Sequence, residues 1–156
     1  MDALATLKAD HRRIGHLITK LELTTERAEK FRAELFEQLL QEFIEHMHLE
    51  EEVLHSFIKE YRQTSSMRLE AMEEHEALKL LFTELASIPV DSEEWAAKFE
   101  VLKESLLLNI AGEEQELFPK VRKVLSPEEW EDLSVLFEEA KLHPNTSSRS
   151  GLVYSR

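Results

Sequence analysis

Six side chains in this sequence carry donor atoms at spacings suited to holding a metal: His11, His46, Glu50, His75, Asn109 and Glu113. His46 and Glu50 stand four residues apart, as do Asn109 and Glu113, so each pair shares one side of a helix, one turn apart. The side that carries His46 and Glu50 also carries Phe36, Leu39, Leu40, Phe43, Met47, Leu54 and Phe57. A carboxylate on an apolar face loses its water shell and calls for a counter-charge or a cation. Imidazole with carboxylate suits iron, manganese or zinc. Two inward carboxylates can bridge a pair of divalent cations and cancel much of their charge, while the imidazoles bind as neutral ligands. Iron with an open position can take dioxygen or nitric oxide, and apolar walls would exclude water from it.

Long amphipathic helices must position these groups. Helix periodicity predicts a first helix from about Asp2 to Glu22, with a core face of Leu4, Leu7, His11, Ile14, Ile18 and Leu21. A second runs from about Glu26 to Tyr61 after the hydroxyl cap offered by Thr24-Thr25. A third covers about Met67 to Ser87, with Met72, His75, Leu78, Phe82 and Leu85 inward. A fourth starts at Ser92-Glu93-Glu94-Trp95 and runs to about Leu125, its core face including Phe99, Leu102, Leu106, Asn109, Glu113 and Leu117. Gly112 and Pro119 lie within it and predict weakening or a kink. Ser126-Pro127-Glu128-Glu129 combines a hydroxyl cap, a proline at the first helical position and a glutamate at the third, so a fifth helix follows to about Leu142. Trp130, Leu133, Leu136 and Phe137 are available to cover one side of the bundle. Residues 1–142 form the expected helical domain, and 143–156 read as a flexible tail.

The chain repeats itself. His11-x-x-Ile14-x-x-Leu17-Ile18-x-x-Leu21 returns as His75-x-x-Leu78-x-x-Leu81-Phe82-x-x-Leu85. His46-x-x-x-Glu50-Glu51-x-x-Leu54 returns as Asn109-x-x-x-Glu113-Glu114-x-x-Leu117. Two similar αα-hairpins pack as an up-down-up-down four-helix bundle with pseudo-two-fold symmetry, bringing the six donors to one interior. Asn109 breaks that symmetry, because it stands where the first hairpin has His46.

These elements resemble the hemerythrin-like (HHE) cation-binding family over roughly Leu4 to Leu142. The resemblance is carried by Asp10-His11, His46-x-x-x-Glu50-Glu51, Glu74-His75-Glu76 and Glu113-Glu114-Gln115-Glu116-Leu117-Phe118-Pro119. It implies a non-haem di-iron centre in which one metal takes His11 and His46, the other takes His75, and Glu50 and Glu113 bridge. It also implies roles in binding or sensing dioxygen, nitric oxide, iron or redox state. Asn109 departs from the pattern, since an amide oxygen is a poorer iron ligand than imidazole, and predicts a weakened second position. Mononuclear, mixed-metal or zinc occupancy is an alternative. So is a different class of protein, a metal-free helical interaction module that kept the fold and lost the centre.

Composition supports an all-α reading and narrows the partners. Only 3 glycines and 4 prolines leave few of the turns that all-β folds need, and 42% hydrophobic residues suit a packed core. With no cysteine, disulfides, thiolate sites and Fe–S clusters are excluded. A net charge of −13 repels phosphate backbones and anionic lipid, so neither nucleic acid nor membrane is an expected partner. No basic region with a following apolar run opens the chain, which predicts a cytoplasmic protein. No Ser-His-Asp or phosphate-loop motif supports a hydrolase or nucleotide enzyme. His16, His48 and His55 fall off the inner seams and read as surface residues, while Glu73, Glu74 and Glu76 read as a solvated acidic face. Glu51 and Glu114 read as lying behind the donors or in solvent.

Overall fold

Asp2 accepts a hydrogen bond from the Leu4 amide at 3.0 Å and starts α1 (Ala3–Glu22). In the computed structural model, residues 2–142 are described, and they are helical with no strand among them. The expected tail 143–156, with His143, lies outside the described residues. A 3-10 turn at Glu26–Ala28, capped by Thr25, leads into α2 (Glu29–Leu49). That helix continues through an i→i+5 turn at Glu50–His55 to Ser56–Ile58. After a 3-10 turn at Arg62–Thr64 comes α3 (Ser65–Ala86). Ser92 Oγ accepts from the Trp95 amide at 3.1 Å and caps α4 (Glu93–Gly112), which continues through a second i→i+5 turn, Glu113–Leu117, into Phe118–Val124. The last helix, α5 (Pro127–Leu142), opens on a reciprocal cap: Glu129 N–H donates to Ser126 Oγ at 3.1 Å, and Ser126 N–H donates to Glu129 Oε1 at 2.8 Å.

The first four helices pack as two hairpins, α1 on α2 and α3 on α4, in the up-down-up-down bundle that the repeat implies. Their apolar faces form one core built around Phe43 stacked on Phe82 and Trp95 stacked on Phe99. A second apolar cluster joins Leu4, Leu7, Leu54, Leu117 and Phe118 to Leu133 and Phe137 of α5, which therefore closes one end.

The helix faces hold with local corrections. Met72, expected inward, is 37% exposed, and Leu136 is also exposed. The expected unbroken helix Glu26–Tyr61 is interrupted near both ends. Where Gly112 and Pro119 predict weakening or a kink, they bracket an i→i+5 turn, Glu113–Leu117. Pro119 sits at the start of the α-helical stretch Phe118–Val124, where a missing N–H costs little.

Arg32 ties the two hairpins together away from the histidines. It is buried, donates to Thr24 Oγ1 and the Thr24 carbonyl at 2.9 Å each and to the Val90 carbonyl at 2.6 Å, and lies 5.0 Å from the Trp95 ring centre. Replacing it leaves the partly buried Thr24 and Val90 carbonyls without this donor. Arg32→Met should lower the unfolding free energy by about 2–4 kcal/mol in urea melts, without altering metal uptake.

Candidate metal centre

Each of the first four helices carries its polar donors between the two apolar clusters. On α1, His11 lies between Leu7 of the end cluster and Ile14 of the main core. On the second helix, His46 and Glu50 lie between Phe43 and Leu54, and on the fourth, Asn109 and Glu113 lie between Leu106 and Leu117. The bundle is thus cut by one polar layer to which four helices contribute. His11, His46, Glu50, His75, Asn109 and Glu113 are all buried, Glu50 fully.

His11, His46, Glu50 and Glu113 each offer a donor atom within 4.8 Å of the others. His11 Nε2 stands 3.2 Å from His46 Nε2 and 3.0 Å from Glu113 Oε1, and His46 Nε2 stands 3.1 Å from Glu50 Oε2. The other oxygens of the same carboxylates turn to the opposite side. Glu50 Oε1 is 3.6 Å and Glu113 Oε2 is 3.4 Å from His75 Nε2. Ligands about 2.1 Å from one ion stand about 3.0 Å apart at right angles, so the first side already has the spacing of a coordination shell. The second side is looser by a few tenths of an ångström.

Glu50 Oε2, Glu113 Oε2 and His75 Nε2 are buried in this layer and make no well-formed hydrogen bond, only ion-pair contacts of 3.1–3.6 Å with one another and with His46 and Glu50 Oε1. Buried groups paired this poorly are costly, and their convergence from different helices is what a cation would satisfy. The donor set therefore fits a divalent metal.

Behind the donors, each half supports the other. His11 Nδ1 is 2.6 Å from Glu114 Oε2 and His75 Nδ1 is 2.7 Å from Glu51 Oε2. His46 Nδ1 is 3.1 Å from Asp10 Oδ2, itself paired with Arg13. The equivalent contact in the second half joins Asn109 Nδ2 to Glu74 Oε1 at 2.8 Å. A carboxylate on Nδ1 holds the proton there and leaves the Nε2 lone pair for a metal. Glu74, expected in solvent, is thus engaged with Asn109. Asp10 and Glu74 precede His11 and His75 in the sequence, and that shared position was the available signal for their role.

His55 corrects the sequence reading most clearly. His16 is exposed and His48 partly so, but His55 is 3% exposed, with Nε2 3.1 Å from Glu50 Oε1 and its ring stacked on His75. Nine residues of α-helix, at about 100° per residue, would place it half a turn from His46. The i→i+5 turn at Glu50–His55 takes in one more residue and brings the fifth residue after Glu50 beneath it. Such turns are rare, and no residue type announces them.

Protons and metal compete for this layer. Burial by itself lowers the pKa of His75, but its hydrogen bonds to Glu113 and Glu51 and the charges of Glu50 and Glu113 outweigh it and raise the value to about 10. His46 is raised well above its usual value against the same burial, through Asp10, Glu113 and Glu50. Burial likewise pushes Glu113 up, yet the three histidines and Glu50 hold it well below the ordinary carboxylate range. The metal-free layer is thus a buried set of ion pairs, and a metal must displace its imidazolium protons.

Residues 2–121 match the Hemerythrin HHE cation binding domain. A "DNA nickase" of Nostoc sp. (strain PCC 7120 / SAG 25.82 / UTEX 2576) is 25% identical over 141 residues, covering 90% of this chain. The chain matches only 39% of that protein's length. No solved structure matches significantly. Among the described residues, no helix is long and apolar enough to cross a membrane.

The raised His75 pKa carries a sign. Stability from that group is complete below the unfolded value of 6.5 and is lost as pH rises toward about 10. Chelator-treated protein should therefore melt at progressively lower temperature from about pH 7 to 9, and His75→Gln should flatten the decline. A melting temperature constant over that interval in the unsubstituted protein would contradict the assignment.

Proposed function

Because the chain belongs to the hemerythrin HHE cation-binding family, we propose that its metal centre is a non-haem di-iron site that binds or senses dioxygen, nitric oxide or cellular iron and redox state. The observation that carries this reading is the division of both carboxylates, with one oxygen of Glu50 and one of Glu113 on each side of the polar layer. His11 and His46 would hold the first ion, and His75 the second beside Asn109, with Glu50 and Glu113 bridging. Asp10, Glu51 and Glu114 hold the Nδ1 protons, keeping each Nε2 aimed inward. Phe118, stacked on His11, and Phe43, edge-on to His75, limit water around the layer. When bound, iron with an open position supplies reversible ligation of a diatomic molecule and one-electron chemistry.

The metal-free interaction module is a poorer reading, because it gives no role to the donors of His11, His46, Glu50 and Glu113 that converge within 4.8 Å of one another in a buried layer. Nicking DNA belongs to the Nostoc protein's name, and the net charge of −13 here opposes a phosphate backbone, so this proposal includes no DNA.

Anaerobic Fe(II) loading followed by desalting should leave two ions per chain, and the optical spectrum should change on exposure to air or nitric oxide. A His11→Ala/Glu50→Ala control should retain none; equal iron in both proteins removes the reading. Glu114→Ala should weaken the first ion by about 10–100-fold, because His11 loses the partner that orients it.

A further inference from the structure

The two halves of the centre put different residues in the same architectural slot. In both, an i→i+5 turn brings the fifth residue after the bridging glutamate against a histidine of the layer. In the second half that residue is Phe118, stacked on His11 at 5.9 Å between ring centres and 4° between planes. In the first half it is His55, stacked on His75 at 5.9 Å and 8°. An apolar ring therefore fills the slot in one half, and an imidazole occupies it in the other. The imidazole lies beside His75, on the side where Asn109 replaces the expected histidine.

We propose that His55 is a ligand of the second metal position and supplies, through Nε2, the nitrogen that Asn109 lacks. This rests on the two-ion reading above. His55 Nε2 is 3.1 Å from Glu50 Oε1, the same oxygen that stands 3.6 Å from His75 Nε2. That 3.1 Å equals the separation of His46 Nε2 from Glu50 Oε2 on the first side and is close to the roughly 3.0 Å between neighbouring ligands of one ion. Each position then receives two imidazole nitrogens and one oxygen from each bridging carboxylate. Asn109, held to Glu74 through Nδ2, becomes a neutral neighbour rather than a gap.

The other ring nitrogen distinguishes His55 from the three histidines already described. His11, His46 and His75 each have Nδ1 held by a carboxylate, whereas His55 Nδ1 is buried without a hydrogen-bond partner. No carboxylate holds His55 Nδ1, and the carboxylate at its Nε2 is Glu50 itself. With the proton on Nδ1, Nε2 presents its lone pair toward the second position; with it on Nε2, His55 donates to Glu50. One imidazole can thus close the layer when the second ion is absent and bind that ion when it arrives.

Anaerobic Fe(II) titration of the full chain, with ions per chain counted after gel filtration and the visible spectrum of the Co(II)-loaded protein as a second readout, tests this. His55→Phe copies the ring found in the Phe118 slot, and its chelator-treated melting curve checks folding. His55→Gln is judged by the same count should the phenylalanine variant fold poorly. The unsubstituted chain should take two ions and His55→Phe one, the second weakened by more than the roughly 100-fold that loss of a supporting partner can cost. His55→Phe/Asn109→His should regain the second ion and its Co(II) spectrum, because a nitrogen returns from the opposite side. A smaller weakening, two ions retained in His55→Phe, no recovery in the double variant, or a single ion in the unsubstituted chain overturns the proposal. No ion in any of these proteins would remove the two-ion reading as well.

Discussion

Two carboxylates with almost no access to water set the terms for this bundle. Glu50 and Glu113 are at most 2% exposed and lie inside a helical core. An isolated buried carboxylate is too costly to keep charged, so positive charge must be present whenever the fold is. Without metal, that charge is protons on His46 and His75, whose pKa values rise because Glu113 and Glu50 stand against them. A bound cation would take over that role, with the imidazoles as neutral ligands. Folding, proton binding and metal binding are therefore linked through the same few atoms.

The surrounding architecture serves that requirement from two directions. Apolar clusters above and below the polar layer keep water out and hold four helices in register. Carboxylates behind the histidines, Glu114 on His11, Asp10 on His46 and Glu51 on His75, fix which ring nitrogen faces inward. Because Glu51 and Glu114 follow Glu50 and Glu113 directly, each i→i+5 turn presents one carboxylate to the layer and the next to a histidine of the other hairpin. The hairpins are thereby coupled by polar contacts as well as by core packing.

Pseudo-symmetry shows where the two halves of the chain differ. Asp10 with His46 is mirrored by Glu74 with Asn109, so the supporting carboxylate is present even where the imidazole is gone. The amide is held by Glu74 through Nδ2, and an amide oxygen is a weaker donor for iron than imidazole. The exchange of phenylalanine for histidine in the paired slots at Phe118 and His55 falls on the same side as that loss.

The sequence alone determined the helices, their inward faces and the six polar residues that share an interior. Apolar spacing of 3.6 residues and a repeated hairpin leave little freedom about which side of each helix meets the others. Caps such as Ser126 with Glu129 were equally legible, because they depend on neighbours a turn away. Tertiary structure decided the rest. Which oxygen of Glu50 or Glu113 faces which histidine depends on side-chain rotation between helices far apart in the chain. Whether Glu74 meets solvent or Asn109 depends on the packing of α3 against α4. His55 escaped the α-helical period because a single i→i+5 turn rotates everything beyond Glu50, and the pattern of residue types carries no mark of that extra residue.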